Sequence, residues 1–359
     1  MFLKQLYLKN FRIFNQRQFS FSPQANIFYG LNGVGKTSVL ESIGYLGRGK
    51  SFRTAQSKKL IQCGKKTCTV ALELEKMQCV HRMGVEIKQS ETRRFQLNSQ
   101  IIPGFSLLAS IMPLIWINPS NIHLFLAAPS LRRQFVDWGV FHHFKDFYTY
   151  WRRYNKILQQ RNIALKQKLS DKQLCCFDHD FIENALALDD RRKKYIDELR
   201  PIIFAGFKHF INLQFNAVEY NRGWPKKTSL KSLLEQSLQT DRRLGYTQFG
   251  PHRMDINLLI DEKHVQDFCS QGQHKLISYV FYLAQGQLFE LAHHYSPIFL
   301  IDDLPSELDC HNIAAIAAIL SRLHSQVFIS GVAKEDFKSF CQYYKSELFH
   351  VKHDRCMYS

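Results

Sequence analysis

The fold of this chain is decided by one segment, Gly30-Leu31-Asn32-Gly33-Val34-Gly35-Lys36-Thr37. The segment matches the pattern G-x-x-x-x-G-K-[ST], and it lies between a short apolar run, Ala25 to Tyr29, and a stretch with helical spacing, Ser38 to Tyr45. Its glycines allow the backbone to bend with N–H groups pointing inward, and the positive end of the following helix attracts an anion. A strand, a phosphate loop and a helix are therefore predicted here.

A phosphate loop of this type binds ATP together with a magnesium ion. Lys36 is expected to reach the β- and γ-phosphates, and the Thr37 hydroxyl is expected to coordinate Mg²⁺. The predicted ATP-binding residues are Gly30, Leu31, Asn32, Gly33, Val34, Gly35, Lys36, Thr37 and Ser38. The alternative is a glycine turn that matches by chance, and the strand before it and the helix after it argue against that alternative.

A second apolar run, Pro297 to Ile301, ends in the carboxylates of Asp302 and Asp303. A buried strand that ends at Asp302 can hold Mg²⁺ directly or through water, and Asp303 is then placed to polarise an attacking water. Lys36 and Asp303 are the predicted catalytic residues, with Thr37 and Asp302 as the metal ligands. The alternative is a strand that ends in a solvated acidic turn, but an upstream phosphate loop favours the metal site.

The remaining pattern predicts an α/β protein with strands on both sides of a helical middle. Strand patterns dominate before Asn118, and strands alternate with helices again from Met254 onward. The segment between them has helical spacing, with long helices predicted over Leu131 to Arg161 and Phe181 to Phe210.

These patterns predict two lobes. The first is a nucleotide-binding lobe made of residues 1–117 and 247–359, which begins with an antiparallel β region. The second is a mainly helical lobe, residues 118–246, inserted into the first.

The charge of the chain favours a polyanionic partner. The chain has 48 Lys+Arg against 31 Asp+Glu, which gives a formal net charge of +17. Residues 116 to 246 contain 22 of the basic and 13 of the acidic residues, so the middle is the densest in positive charge. Nucleic acid or an anionic membrane surface would suit such a chain, and the alternative is a basic surface that only keeps the protein soluble.

Several features predict a cytoplasmic protein without membrane segments. The start of the chain lacks the long apolar block of a signal peptide. The uncharged stretch from Phe95 to Leu131 is interrupted by Pro103, Pro113 and Pro119, so no spanning helix is expected there. The nine cysteines contain no C-x-x-C pair, as is typical of reduced thiols in a cytoplasm.

One cluster has metal-ligand chemistry: Cys175, Cys176, Asp178, His179 and Asp180. Its spacing matches no zinc template. A polar loop followed by the start of a helix is the better interpretation of this cluster.

The segment Ser270-Gln271-Gly272-Gln273 precedes a long helical stretch, Lys275 to His294. It resembles the signature motif of ABC-type ATPases, and it lies about 30 residues before Asp302, as that family requires. The resemblance implies that the serine hydroxyl and the helix N-terminus bind the γ-phosphate of ATP held by a partner subunit. The D-loop residues that the family places after the carboxylates match Ser306, Glu307 and Asp309.

Further segments narrow the resemblance to the RecF family, whose members are SMC-like heads among the ABC-type ATPases. The matching segments are Leu8-Lys9-Asn10-Phe11-Arg12, Gly49-Lys50-Ser51-Phe52-Arg53-Thr54, Pro129-Ser130-Leu131-Arg132-Arg133-Gln134-Phe135-Val136-Asp137 and Gly250-Pro251-His252-Arg253-Met254-Asp255. The implied fold is an ABC-type head with a RecA-like core, an N-terminal antiparallel β region and an inserted helical lobe.

Three positions depart from the expected pattern. Pro119-Ser120-Asn121 stands where the family usually has a proline followed by acidic residues, so the equivalent of a glutamine loop is in doubt there. Ser330 follows the last core strand where ABC transporters have a histidine, and its hydroxyl is a candidate sensor of the γ-phosphate. Pro305, in the turn after Asp303, is also unusual for the superfamily.

The resemblance implies an ATP-dependent homodimer in which two subunits pair head to tail across two ATP molecules. Such proteins hydrolyse ATP slowly, in a DNA-dependent manner, and bind single- and double-stranded DNA at gaps and junctions. They work with RecR, and with RecO in the same pathway, to help RecA load during DNA replication, recombination, repair of DNA damage and the SOS response.

Five arginines are candidate DNA contacts: Arg53, Arg132, Arg133, Arg152 and Arg153. Each contact with a phosphate would steepen the salt dependence of DNA binding. The alternative for the paired arginines is a solvated helix face, and for Arg53 it is a turn arginine paired with a carboxylate.

Two other function classes share parts of this pattern. The ATPase subunit of an ABC-type membrane transporter shares the signature turn, but it lacks the helical insertion. A phosphate-loop kinase that acts on a small molecule shares the phosphate loop, but it does not need Ser270 to Gln273.

Overall fold

The computed structural model describes residues 1–210, 217–260, 262–352 and 355–358. The described strands are β1 (Phe2–Phe11), β2 (Phe14–Ser20), β3 (Ala25–Tyr29), β4 (Thr67–Lys76), β5 (Cys79–Lys88), β6 (Arg93–Leu97), β7 (Gln100–Ile102), β8 (Leu114–Ile117), β9 (Ala217–Asn221), β10 (Asp255–Ile260), β11 (Lys263–His264), β12 (Ile298–Ile301), β13 (Val327–Gly331), β14 (Ser346–Lys352) and β15 (Arg355–Tyr358). The described helices are α1 (Lys36–Arg48), α2 (Ser106–Ile111), α3 (Pro129–His143), α4 (Phe147–Lys166), α5 (Asp171–Phe210), α6 (Leu230–Leu244), α7 (Gln271–His293), α8 (Leu304–Glu307), α9 (Cys310–Arg322) and α10 (Lys338–Cys341).

An antiparallel sheet at the N-terminus has the strand order β2-β1-β4-β5-β6-β7. Buried and more exposed residues alternate along β4, so that one face of this sheet packs on the core and the other faces solvent. This sheet confirms the N-terminal antiparallel region that the alternating sequence predicts.

A second sheet has the order β15-β14-β3-β13-β12-β8, and all of its neighbouring strands are parallel except β14 and β15. Every residue of β8, β12 and β13 is buried, as expected for parallel strands covered on both faces. Because the strands are parallel, the carboxyl ends of β3, β13, β12 and β8 meet at one edge, where ligands bind in open α/β sheets.

Helix α1 packs between the two sheets. A Cβ atom on Gly44 would lie 2.1 Å from the ring of Trp116 on β8, so only glycine allows this close approach of helix and strand. In the same core, the rings of Phe28 and Phe349 stack with centroids 4.8 Å apart. The core therefore fixes the orientation of the helix that follows the phosphate loop.

The chain forms two compact units, Met1–His123 with Lys275–Ser359, and Leu124–His274. The second boundary lies later in the chain than the position 246/247 expected from the sequence. The reason is that β10 pairs with β9, with Asp255 opposite Asn221, so residues 247–274 group with the helical unit.

The helical unit differs in detail from the sequence prediction. The helical segment predicted over residues 131–161 is divided into two helices, because α3 ends at His143 and α4 begins at Phe147. The segment from Cys175 to Asp180 lies inside α5, which begins at Asp171, so the predicted polar loop is also wrong there. Among the described residues, no helix combines the length and the apolar character needed to cross a bilayer.

Candidate nucleotide-binding site

A cavity of about 770 Å³ opens within the first unit at the carboxyl ends of the parallel strands. It is lined by Arg12, Ile13, Asn32, Gly33, Gly35, Lys36, Thr37, Ser38, Phe52, Arg53, Lys59, Ile61, Pro119, Ser120, Asp302, Asp303 and Ser330. The cavity thus brings together six segments of the sequence, and four of them carry predicted site residues.

The phosphate loop needs glycine at its first position. Gly30 has a φ of 142°, and a Cβ atom there would lie 2.4 Å from the carbonyl oxygen of Val351. Of the nine predicted ATP-binding residues, six line the cavity, whereas Val34 is buried in the core and the Leu31 side chain is 75% exposed. The loop therefore presents its backbone and Lys36, rather than its apolar side chains, to the cavity.

Lys36 is held by the loop that contains it. Its Nζ donates to the carbonyl oxygens of Gly30 at 2.7 Å and Leu31 at 2.8 Å. Burial lowers the pKa of Lys36, while the nearby carboxylates of Asp303 and Asp302 act to raise it. The ammonium group is thus fixed beside the cavity.

Thr37 and Asp302, which are 265 residues apart in the sequence, meet at the cavity wall. The Thr37 hydroxyl donates to Asp302 Oδ1 at 3.0 Å, and the Ser330 hydroxyl donates to the same oxygen at 2.5 Å. The Ser330 oxygen also accepts from the backbone N–H of Asp303 at 2.9 Å. The hydroxyl of Ser330, on β13, therefore links the Asp302 carboxylate to the backbone of Asp303, just after β12.

Asp302 is only 6% exposed. Burial raises its pKa, and this effect is opposed by the hydrogen bonds from Ser330 and Thr37. A buried carboxylate beside a hydroxyl is a pair of hard oxygen donors, and a divalent cation between them would remove the cost of burying the charge. The donor set therefore fits Mg²⁺.

Arg12 is a site residue that the motif search did not select. Its guanidinium donates to both carboxylate oxygens of the fully buried Glu41, at 2.9 and 2.7 Å, and to the carbonyl oxygen of Lys59 at 2.9 Å. Glu41 also accepts a short hydrogen bond from Ser51. The sequence did indicate that Arg12 ends a segment shared with the RecF family. Its position at the cavity, however, depends on the ion pair with Glu41 in α1.

The walls of the cavity carry more positive than negative charge. Arg12, Lys36, Arg53 and Lys59 line it together with only two carboxylates. The lining also includes Pro119 and Ser120, so the segment with the unusual sequence lies at the cavity even though it lacks acidic residues. Such an excess of cations suits a polyphosphate anion.

The signature segment lies at the start of α7. The Ser270 oxygen accepts from the backbone N–H of Gln273 at 3.3 Å, and the Gln273 side chain accepts from the N–H of Ser270 at 2.8 Å. This reciprocal pair is a capping box, which orders the first turn of a helix. Ser270, Gln271 and Gly272 are exposed, and a Cβ atom on Gly272 would approach only the Ser270 oxygen, at 4.0 Å.

The D-loop residues have structural partners within the first unit. Glu307 forms an ion pair with Lys275 at 2.6 Å, and Asp309 caps α9 by accepting from Asn312 N–H at 2.9 Å. That backbone hydrogen bond lowers the pKa of Asp309. Ser306 donates its backbone N–H to the carbonyl oxygen of Asp303, and the unusual Pro305 fits because it lies in the first turn of α8.

The five candidate DNA-contact arginines fall into three environments. Arg132 is 4% exposed and forms two hydrogen bonds with Asp255, at 2.6 and 2.9 Å, so it is a buried structural residue and its selection as a DNA contact was wrong. Arg133 is half-buried and donates to the carbonyl oxygen of Met254. Arg53, Arg152 and Arg153 are exposed, and Arg53 lines the cavity.

The motif Gly250 to Asp255 is also structural. The ring of His252 lies between two partners, with Nδ1 2.7 Å from the Tyr154 hydroxyl and Nε2 2.9 Å from the carbonyl oxygen of Thr247. A carbonyl only accepts, so Nε2 carries the proton and Nδ1 accepts from the tyrosine. Burial lowers the pKa of His252 to about 4, which keeps the ring neutral.

The cysteine and histidine cluster carries no site. His179, Asp180 and Glu183 bring ligand atoms within 4.8 Å of one another on α5, but all three are exposed. Exposed acidic groups of this kind are common without a metal, so the cluster is treated as a solvated helix face.

Comparison with known proteins covers nearly the whole chain. Residues 2–355 match the family model described as the RecF/RecN/SMC N terminal domain. The DNA replication and repair protein RecF of Coxiella burnetii (strain Dugway 5J108-111) is 37% identical over 332 residues, which cover 92% of each chain. The protein of the same name from Pseudomonas fluorescens (strain SBW25) is 37% identical over 340 residues, covering 94% of this chain and 93% of the relative.

A solved structure agrees with these relatives. It is described as the recombination mediator protein RecF-ATP in the RecFOR pathway, and it superimposes with a TM-score of 0.89 at 24% identity, over 99% of this chain and 97% of that one. The similarity includes the antiparallel sheet, the parallel sheet and the inserted helices, and is not confined to the nucleotide motifs. This chain belongs to the RecF family of DNA replication and repair proteins.

Proposed function

We propose that this protein is an ATP-dependent DNA-binding ATPase of recombinational repair and replication, in which ATP binding assembles a dimer on DNA and slow hydrolysis releases it. The observation that carries the proposal is the meeting of Thr37 and Asp302 at 3.0 Å in a cavity with four cationic side chains. The relatives named as DNA replication and repair proteins, and the solved structure described as RecF-ATP, support it.

The residues of the cavity fit ATP and Mg²⁺. The backbone of residues 30–37 would hold the phosphates, with Lys36 beside the β- and γ-phosphates, and Thr37 and Asp302 would hold the metal. The metal would supply charge neutralisation for the phosphates. Asp303 would orient and polarise a water molecule. Ser330, which bonds the Asp302 carboxylate and the backbone N–H of Asp303, would respond to the γ-phosphate.

The signature segment supports a site shared between two subunits. The first turn of α7 is ordered by its capping box, and its outer surface at Gly272 is open. An exposed helix N-terminus can accept an anion from outside its own chain. In the proposed dimer, Ser270 and Gly272 of one subunit would close the ATP held at Lys36 of the other, so that ATP binding and association are coupled.

The proposed partners follow from the family. DNA, both single- and double-stranded and at gaps or junctions, suits the net charge of +17. The words "RecFOR pathway" in the description of the solved structure support RecR and RecO as partners, with RecA loading as the outcome. The proposed compartment is the cytoplasm. The alternative of a membrane-transporter ATPase is set aside because the family of this chain has another function.

Light scattering tests the proposal directly. We expect the wild-type protein to dimerise with ATP·Mg²⁺ and DNA, and we expect Lys36→Met to remain monomeric under the same conditions. Retention on DNA-cellulose should likewise require ATP and fall with salt. If the wild-type protein stays monomeric with ATP·Mg²⁺ in the presence of DNA, the proposed function is wrong. DNA-stimulated ATP hydrolysis that falls on dilution would support the shared site.

A further inference from the structure

The corner between α3 and α4 carries a set of exposed aromatic rings that the nucleotide site does not use. The rings of Tyr148 and Trp151 have nearly parallel planes, 14° apart, with centroids separated by 6.3 Å. The two side chains are 38% and 37% exposed. Phe141 packs edge-on against Tyr148 with centroids 6.0 Å apart, so the pair is supported from α3.

The orientation of Trp151 is fixed by a hydrogen bond. Its indole Nε1 donates to Asp137 Oδ2 at 3.2 Å. Asp137 is itself held by Arg192, which donates to its two oxygens at 2.7 and 3.0 Å. The exposed ring is therefore ordered before any ligand binds, which reduces the entropy lost on binding.

The local charge around these rings is positive. Arg152 and Arg153 are exposed on the same helix, and Lys145 is exposed in the turn before it. Within the described part of the chain, none of the three forms an ion pair with a carboxylate. The acidic residue nearest in sequence, Asp146, is held by two hydrogen bonds from Arg191, at 2.9 and 2.5 Å. The basic side chains are thus available to a phosphate backbone.

We propose that the aromatic face of α4, defined as Tyr148 and Trp151 with Arg152 and Arg153, binds single-stranded DNA by stacking bases on the rings while the arginines contact phosphates. Arg152 follows Tyr148 by four positions, so a base on the rings and a phosphate at the guanidinium lie on one side of the helix. Proteins that bind single-stranded nucleic acid without sequence preference commonly combine aromatic rings, which stack on bases, with cations that contact phosphates. The inference rests on the proposed function in that DNA is the ligand.

The geometry favours a single strand over a duplex and over a protein. In a duplex each base is stacked on its neighbours, so its faces cannot stack on the rings of the protein. Tyr, Trp and Arg are also enriched at protein interfaces, but the net charge of +17 favours a polyanionic strand over a protein partner. The cations and the rings together therefore point to a ligand with flat uncharged faces and a regularly charged backbone.

The test compares an oligonucleotide of sixteen thymidines with a strand of equal length whose sugars carry no bases. The wild-type protein should bind the thymidine strand more tightly by roughly 5- to 150-fold, because stacking adds to phosphate contact. The double variant Tyr148→Ala/Trp151→Leu should bind the two strands almost equally. Trp151→Phe, which keeps a flat ring, should keep most of the preference.

Two control variants separate the two parts of the proposed face. Arg152→Gln/Arg153→Gln should weaken both strands alike and reduce the salt slope by about 0.7 for each lost phosphate contact. Tyr343→Ala removes another exposed tyrosine, 47% exposed and in the first unit, and should leave both affinities unchanged. Every substituted side chain is more than one-third exposed, so each variant should still unfold cooperatively, and thermal unfolding checks that it is folded in the binding assay.

The proposal is overturned if the double variant keeps the wild-type preference for the thymidine strand, or if Tyr343→Ala loses that preference equally. If the wild-type protein binds gapped duplex DNA with ATP but shows no preference for the thymidine strand, this proposal fails while the proposed function stands. If it binds neither DNA, both fail. Capture of a protein by this face without any strand binding would also overturn the proposal.

Discussion

Replacing Arg12 with methionine should destabilise the protein because it leaves a buried carboxylate without its partner. Glu41 is 0% exposed, and Arg12 supplies two of its hydrogen bonds. Among the described residues, Ser51 is the only side-chain donor that the variant retains for this carboxylate. Breaking a buried ion pair by removing one partner costs about 3–5 kcal/mol. Replacement of Arg12 also removes a cation from the wall of the nucleotide cavity.

Urea unfolding monitored by tryptophan fluorescence measures this effect, and a double variant provides the control. In Arg12→Met/Glu41→Met both charges are gone, so stability should return to within about 1.5 kcal/mol of the wild type. The thermal stabilisation by ATP·Mg²⁺ should stay low in both variants, because both lack the guanidinium at the cavity. Stability would then recover without recovery of nucleotide binding.

Two results would refute this reasoning. A loss of less than about 1 kcal/mol at pH 7 for Arg12→Met would mean that Glu41 does not depend on this partner. A double variant that is as unstable as Arg12→Met would mean that the cost is one of packing rather than of charge.

Four further changes test other parts of the structure. Gly272→Arg should preserve folding and ATP binding, because the space around that Cβ position is open. It should abolish ATP-dependent dimers in light scattering, and loss of ATP binding would contradict the shared-site assignment. Burial raises the pKa of Asp302, which means that the charged carboxylate is unfavourable in the folded protein, so Asp302→Asn should raise the melting temperature in the absence of nucleotide. The same variant should lose the thermal shift caused by ATP·Mg²⁺. For His252, whose pKa of about 4 lies below the value near 6.5 for an unfolded chain, the free energy of unfolding should fall by up to about 3 kcal/mol from pH 7 to pH 4; a His252→Gln variant with the same pH profile would refute this. Gly44→Ala should destabilise by about 1–3 kcal/mol in urea, because its Cβ would lie 2.1 Å from the Trp116 ring, and an unchanged midpoint would contradict that packing.

The nucleotide motifs could be predicted because each depends on a short continuous segment. The phosphate loop requires glycines, Lys36 and Thr37 at fixed spacing, with a strand before and a helix after, and the structure has β3 and α1 at those places. The position of Asp302 directly after β12 could be predicted for the same reason, since an apolar run followed by a carboxylate is a local pattern. The meeting of the phosphate loop with Asp302 was predicted from the family pattern. The parallel sheet provides the physical reason, because it places the ends of β3 and β12 at the same edge.

The burial of the arginines could not be predicted. Arg132 and Arg152 both belong to Arg-Arg pairs in helices, and neighbouring residues do not distinguish them. Arg132 is buried because Asp255, 123 residues away, accepts two hydrogen bonds from it, whereas Arg152 has no such partner among the described residues. Ion pairs between distant segments depend on which surfaces the fold brings together.

The sequence by itself determined the fold class, the phosphate loop and the family, because these follow from the spacing of neighbouring residues and from segments that match the family along the whole chain. Only the tertiary structure decided which charged side chains face the cavity and which support the core. Arg12 reaches the cavity because a buried glutamate of α1 holds it, and residues 247–274 group with the helical unit because β10 pairs with β9. In each case the residue or strand that makes the contact is distant in sequence. The free energy of such a contact depends on how deeply the fold buries it, and neighbouring residues do not show this.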